Sequence, residues 1–184
     1  MIKNTFFYAM LFLATVSFMS CSQGSDEVTP EPTPTTNTII DIAQGDDFTT
    51  LAAALDRVSL TATLNGAGPF TVFAPTNAAF TALLADLAIS GLDEVSDDVL
   101  TEILLNHVVS GTVMSTDLTA GYVSTLATGA QDTKVSLLVD LTDGVKLNNT
   151  ATVTAADVVA DNGVVHVIDQ VILVPNVVAT AVAN

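Results

Sequence analysis

The 184-residue chain holds one cysteine, two histidines and four lysine and arginine residues together, and each scarcity removes a class of function. With Cys21 as its single cysteine, the chain forms no intramolecular disulfide and carries no paired-cysteine metal motif. Twenty acidic residues against four basic ones give a formal net charge of −16. Such a field repels phosphate backbones, which require clustered Lys or Arg, so nucleic acid is excluded as a partner. Docking on an anionic lipid surface by charge alone is disfavoured for the same reason. His107 and His166 are too few for a zinc centre, which takes three or four ligands, and no HExxH spacing occurs. Gly-x-Ser-x-Gly, Ser-x-x-Lys and glycine-rich phosphate loops are also missing. The expectation is a protein with no enzymatic activity, cofactor or metal centre. There is no internal repeat at solenoid or propeller periods.

What is present begins at the N-terminus. Lys3 supplies one positive charge, Phe6 to Met19 are apolar or uncharged, and Ser20-Cys21 follow. The order matches a secretory signal peptide, and the run is shorter than the about 20 apolar residues of a membrane span. Phe18-Met19-Ser20-Cys21 resembles the lipobox of bacterial lipoproteins, with Phe18 and Met19 where leucine and a small residue are commoner. The resemblance implies removal of residues 1–20 and lipidation at Cys21, a membrane anchor that holds stably when several acyl chains act together. Only Arg57, Lys134 and Lys146 would then face the 20 acidic residues. Solubility accounts for most of that charge; bridging by divalent cations to an anionic glycan is the sharper reading. Residues 21–37 are rich in proline, threonine and acids, bury too little to fold, and read as a semi-stiff spacer. Asp26 and Glu27 resemble the acidic surface-export signal of Bacteroidetes lipoproteins.

From 38 to 175 the composition turns apolar without a second linker, which predicts one domain followed by a short tail, 176–184. Asp46-Asp47 as N-cap and first-turn acids, then Phe48, Leu51, Leu55 and Val58 at helical spacing, predict a first helix. Gly66, Gly68 and Pro69 break the chain before the β-prone Phe70 to Phe73. Pro75-Thr76-Asn77 opens a second helix with Phe80, Leu83, Leu84 and Leu87 on one face, ended by Gly91. Ser96 caps a third, with Asp97 and Asp98 at its positive end and Leu100, Ile103 and Leu104 inward. Strands are expected at 107–109, 122–126, 134–139, 144–147, 151–159 and 164–174. Asp143-Gly144 and Asn162-Gly163 mark hairpins, the latter as a type I′ turn. Helices first and strands later predict the segregated α+β class.

Three segments carry a further signal. Thr71-Val72-Phe73-Ala74-Pro75-Thr76-Asn77-Ala78-Ala79-Phe80, then Leu105-Asn106-His107-Val108-Val109-Ser110-Gly111, then Asn162 to Pro175 resemble, in order and spacing, the signature boxes of fasciclin (FAS1) domains. The resemblance covers 38–175 and implies a compact wedge of two β-sheets with helices packed around it. It also implies adhesion or matrix binding without catalysis. Two site candidates come with it. Asn106-His107 stand at the family's tyrosine-histidine segment, with asparagine for tyrosine, and Asp157-Val158 at its Asp-Ile pair, with valine for isoleucine. These departures, and the lack of Arg-Gly-Asp, argue against integrin recognition.

Read from the residues alone, His107 and His166 are strand-end locks bonded to backbone, and Asp169 is a hydrogen-bonded anchor. Asp140 with Asp143, and Asp157 with Asp161, follow no EF-hand spacing, and weak calcium binding stays open. The functional expectation is an outer-membrane, cell-surface lipoprotein. It would present its domain to extracellular polysaccharide, matrix or a cell-surface protein. A periplasm-facing ligand-binding accessory lipoprotein is the alternative.

Overall fold

The computed structural model describes residues 37–129 and 133–173. Cys21, the signal segment 1–20, spacer residues 22–36, the last two residues of the expected domain and the tail 176–184 lie outside the described residues.

Helices α1 (Ile39–Ala43), α2 (Thr49–Arg57), α3 (Thr61–Leu64), α4 (Asn77–Asp86) and α5 (Asp97–Asn106) fill the first half, with strand β1 (Phe70–Pro75) among them. Strands β2 (Val108–Ser110), β3 (Gly121–Thr128), β4 (Lys134–Asp140), β5 (Lys146–Leu147), β6 (Ala151–Ala160) and β7 (Gly163–Ile168) fill the second. This is the expected α+β order. The strands run in chain order around a closed ring in which β1 pairs with both β2 and β7. The β1–β7 pairing is parallel and the others are antiparallel. Two sheets are discernible within the ring. Both share β3 and β6, whose registers shift between Ser124 and Thr128 and between Val153 and Val158. Bulges bend a strand and raise its twist, which lets each of these two serve both sheets.

Strand alternation sorts the core into two clusters. Phe73, Val109, Leu137, Val139, Leu147 and Ile168 fill the inside of the ring. Val72, Ala74, Val108 and Val165 point the other way, against Leu51, Leu55, Phe80, Leu100 and Leu104 of the helices. Phe73 and Phe80 are both about 1% exposed, and full burial of such a side chain stabilises by about 1.5–3 kcal/mol. Because β1 is covered on both faces, it is buried from Thr71 to Pro75 and apolar but for Thr71, whose hydroxyl is hydrogen-bonded.

Several local expectations are corrected. α1 and α3 have no counterpart in the sequence reading. α1 opens with a capping box between Thr38 and Asp41. Asp46 and Asp47 sit in a separate 3₁₀ turn, and α2 begins at Thr49 with no side-chain cap from its own N-cap residue. Asn77 supplies the cap instead. Its Oδ1 accepts from Thr50 N at 2.9 Å and Thr49 Oγ1 at 3.2 Å, while Nδ2 donates to Asp46 O at 2.8 Å. Thr76 meanwhile caps α4 through Ala79 N. α4 ends at Asp86, not at Gly91, with Ala88 in the left-handed region. Ser96 takes the N-cap position of α5 without a side-chain bond to the helix. The strand expected over 144–147 shrinks to Lys146–Leu147. The hairpin between β6 and β7 exists, but its loop is Asp161-Asn162 and neither residue has positive φ. The type I′ pattern falls at Asn148-Asn149, with φ of 51° and 60° and Thr150 N donating to Leu147 O. β7 stops at Ile168 rather than running to Val174, because Asp169 turns aside to bond Thr152 through both its N–H and its carboxylate.

Asn77→Ala is expected to lose about 1–2 kcal/mol, the usual worth of a helix cap. The measurement is urea unfolding, and an unchanged midpoint would refute the capping role.

Candidate functional site

The expected site residues fall in two places. Asn106 ends α5 and His107 follows it, both buried. Together they clasp one residue, Ile172. Asn106 Nδ2 donates to Ile172 O at 3.3 Å, and Ile172 N donates to His107 Nε2 at 2.9 Å. Since Nε2 accepts, the ring proton resides on Nδ1, which donates to Ile103 O at 2.7 Å. Thr125 Oγ1 on β3 completes the group by donating to Asn106 Oδ1. Burial pushes the His107 imidazole down to about 4, against the opposing pull of the Ile103 carbonyl. The imidazole is neutral and locks the segment after β7 onto the helix layer, so no protein or glycan reaches it from outside.

Asp157 and Val158 lie on the bulged part of β6, half-buried, with Asp157 at φ 59°. The Asp157 N–H donates to His166 Nδ1 at 3.2 Å, which leaves Nε2–H of the fully buried His166 to donate to Val113 O at 2.9 Å. Phe73 stacks on the same imidazole, centroids 5.5 Å apart. The Asp157 carboxylate accepts from Ser115 N at 2.7 Å and from the Ser115 hydroxyl. These two Ser115 donors, the hydroxyl foremost, hold the carboxyl below its ordinary range. Thr71 Oγ1 adds bonds to Gly111 O and Val113 N. The outcome is a loop, 111–120, fixed to the ring by Thr71, Asp157 and His166. The two places meet on β1, where Phe73 N donates to His107 O at 2.9 Å while the Phe73 ring stacks on His166.

Both histidines are thus backbone-bonded locks, and Asp169 is an anchor, as the bare residues predict. The carboxylates do not converge. Asp140 caps its own turn through Thr142, Asp143 pairs with Lys146, and Asp161 holds Asn37. Among the described residues no three His, Cys, Asp or Glu side chains assemble a metal site. Arg57, the sole arginine, lies along the surface and is tied down there: it donates to Leu92 O and Val95 O and pairs with Asp97 at 2.8 Å.

The surface of the described residues carries depressions, among them one of about 570 Å³ beside Gly68, Met114 and Val159. A groove of about 620 Å³ runs between α4, the β3–β4 pair, the Asn148–Thr150 turn and residues 170–173. Tyr122 stands on its rim, 77% exposed. Sequence reasoning does not single out Tyr122, Ser115 or Thr71. For Tyr122 a signal existed, because alternation along β3 and β4 turns Leu137 and Val139 inward and Tyr122 and Ser136 outward. For Ser115 and Thr71 none existed, since their partners lie about 40 positions away in the chain.

The Fasciclin domain model matches residues 46–175. Protein sll1483 of Synechocystis is 44% identical over 158 residues, covering 85% of this chain and 84% of that protein. The transforming growth factor-beta-induced protein ig-h3 of Sus scrofa is 35% identical over 144 residues, 78% of this chain but 20% of that longer protein. Among solved structures, a FAS1 domain pair from the insect cell adhesion molecule Fasciclin I superposes with a TM-score of 0.62 at 19% identity. The match covers 77% of this chain and 52% of that one. The shared fold, the family boxes and these identities carry one conclusion: the chain belongs to the fasciclin domain family.

Proposed function

We propose that this protein is a non-enzymatic adhesion or binding module. In this reading it is anchored through a lipidated Cys21, spaced from the outer membrane by residues 22–37, and presented at the cell surface. The observation that carries the reading is the commitment of both imidazoles, the residues a hydrolytic or metal centre would need first, to backbone groups. What the domain then offers a partner is its surface. Its place in the fasciclin family supports the same view, and the superposed insect protein is described as a cell adhesion molecule. Among the described residues no helix is long and apolar enough to cross a membrane, so the anchor assigned to Cys21 has a task. Of the family-derived candidates, Asp157 and Val158 border the surface, next to Val159 at 62% exposure. Asn106 and His107 act from beneath by holding residue 172. Matrix, polysaccharide or another cell is the partner class.

Three measurements test this. Cys21→Ala should move the protein from the membrane to the soluble fraction. Protease added to intact cells should remove the domain; resistance to shaving would favour the periplasm-facing alternative. A deletion strain should attach to matrix or to its own biofilm by less than about half as well as the parent, a modest loss on the scale of binding energies. Unchanged attachment would sink the adhesion reading.

A further inference from the structure

The groove beside Tyr122 has a composition that selects its ligand. Tyr122 projects from β3 directly opposite Leu138 of β4, on a paired and bulge-pinned stretch of sheet. A large ring 77% exposed on a rigid strand gains little for folding, yet it offers a flat apolar face with a negative quadrupole. Axial C–H bonds of a pyranose ring carry slight positive charge and match such a face. Around it lie polar side chains without formal charge. Asn148 uses Oδ1 to accept from Leu138 N and keeps its NH₂ group unengaged among the described residues. Ser136 and Gln170 make no side-chain hydrogen bond among the described residues. Amides and hydroxyls both donate and accept, which is what ring hydroxyl groups demand.

Charge narrows the class further. The single ionisable acid or base lining the groove among the described residues, besides the Tyr122 phenol, is Asp86, and the whole chain carries −16. Phosphate, sulfate and uronate groups are repelled by that field. The volume of about 620 Å³ lies within the range typical of small-ligand sites. The elements that line the groove are fixed: Asn148 by its type I′ turn, and residues 170–173 by the Asn106-His107 clasp. A preorganised site loses less entropy on binding.

We propose that this groove binds a neutral oligosaccharide, with Tyr122 as the stacking platform and Ser136, Asn148 and Gln170 as hydrogen-bonding groups. The proposal rests on the binding-module reading and names its ligand class.

The test uses the purified chain, titrated by calorimetry and on an array with neutral oligosaccharides of glucose, xylose, mannose and N-acetylglucosamine. Uronate and sulfated oligosaccharides and proline-rich peptides are run alongside. At least one neutral series should bind, with affinity unchanged between low and high salt. Tyr122→Ala should weaken it about tenfold or more, and Tyr122→Phe should stay within about threefold. Because Tyr122 is exposed, both variants should unfold at the parent midpoint. Exclusive binding of anionic glycans or peptides, no binding at all, or full binding by Tyr122→Ala would each overturn the proposal. Failure here separates cleanly from failure of the adhesion reading. A chain that binds no glycan while its deletion still abolishes attachment refutes only the sugar site. Glycan binding with normal attachment refutes only adhesion.

Discussion

Replacing His107 by glutamine is expected to abolish a loss of stability that the parent domain suffers as pH falls from about 6.5 to about 4. The folded-state value of His107 is depressed to about 4 from the ordinary 6.5. In that window the unfolded chain takes up a proton that the folded one refuses, so stability falls as pH falls. The contribution is fully present above pH 6.5, declines by about 1.4 kcal/mol per unit, and levels off below the folded value. Over the whole interval it amounts to about 3 kcal/mol, and the group is buried, so solvent screening removes little of it. Protonation also destroys the acceptor at Nε2 that Ile172 N requires. Guanidinium unfolding of parent and variant across that pH range is the measurement, and the difference between the two curves isolates this residue from the carboxylates. Parallel curves would refute the assignment. His107→Ala should be worse at every pH, since it strands the Ile172 N–H in the interior at a cost of about 1–3 kcal/mol.

The same clasp shows where a sequence stops informing. Local signals carried well. Pro75 and Thr76 end β1 and start α4 because a missing N–H and a capping hydroxyl act on their immediate neighbours. The Asp-Asn-Gly run marks the place of its hairpin but not its turn type, since neither Asp161 nor Asn162 takes positive φ. Signals with distant partners did not carry. Asn77 reads as part of a helix start, yet its amide caps a different helix 27 positions earlier. Asn106 and His107 read as binding candidates through their family resemblance, yet their bonds run 66 and 65 positions onward to Ile172. Asp169 reads as an anchor within the apolar stretch after His166, but that strand pairing ends at Ile168 does not follow from it, because the cause is its reciprocal bonding with Thr152, 17 positions earlier. Asp157 at positive φ is likewise invisible, since a bulge is a property of two strands and not of one. The candidate groove was half legible: strand alternation turns Tyr122 outward, but only the assembled ring sets it beside Ser136, Asn148 and Gln170.

Gly163→Ala should be the most damaging small substitution in the domain, at about 3 kcal/mol or more. Gly163 opens β7, where it pairs with Ala160 across the hairpin and with Phe70 in the parallel pair that closes the ring. A β-carbon there would overlap the Phe70 carbonyl oxygen and stand 2.9 Å from Ile39 Cδ1 of α1. The Phe70 carbonyl is backbone and does not yield cheaply. Phe70 is held by its N–H to Asn162 O, and α1 is held by Ile39 N donating to Asn162 Oδ1. Asn162 Nδ2 in turn bonds Leu64 O at the end of α3. A shift of β7 would therefore strain the seam between the first and last parts of the domain together, and overpacking of this kind costs about 1–3 kcal/mol or more. Gly144→Ala is the control. Gly144 lies in the β4–β5 loop at φ 79°, and a β-carbon added there would meet nothing within 4 Å. It should lose only the conformational term of about 1 kcal/mol. Urea midpoints of the two variants decide the matter. If they fall equally, close approach at the β1–β7 seam is not what glycine provides there. If Gly163→Ala falls much further, the glycine of the Asn-Gly pair is kept for ring closure, and its hairpin turn is incidental.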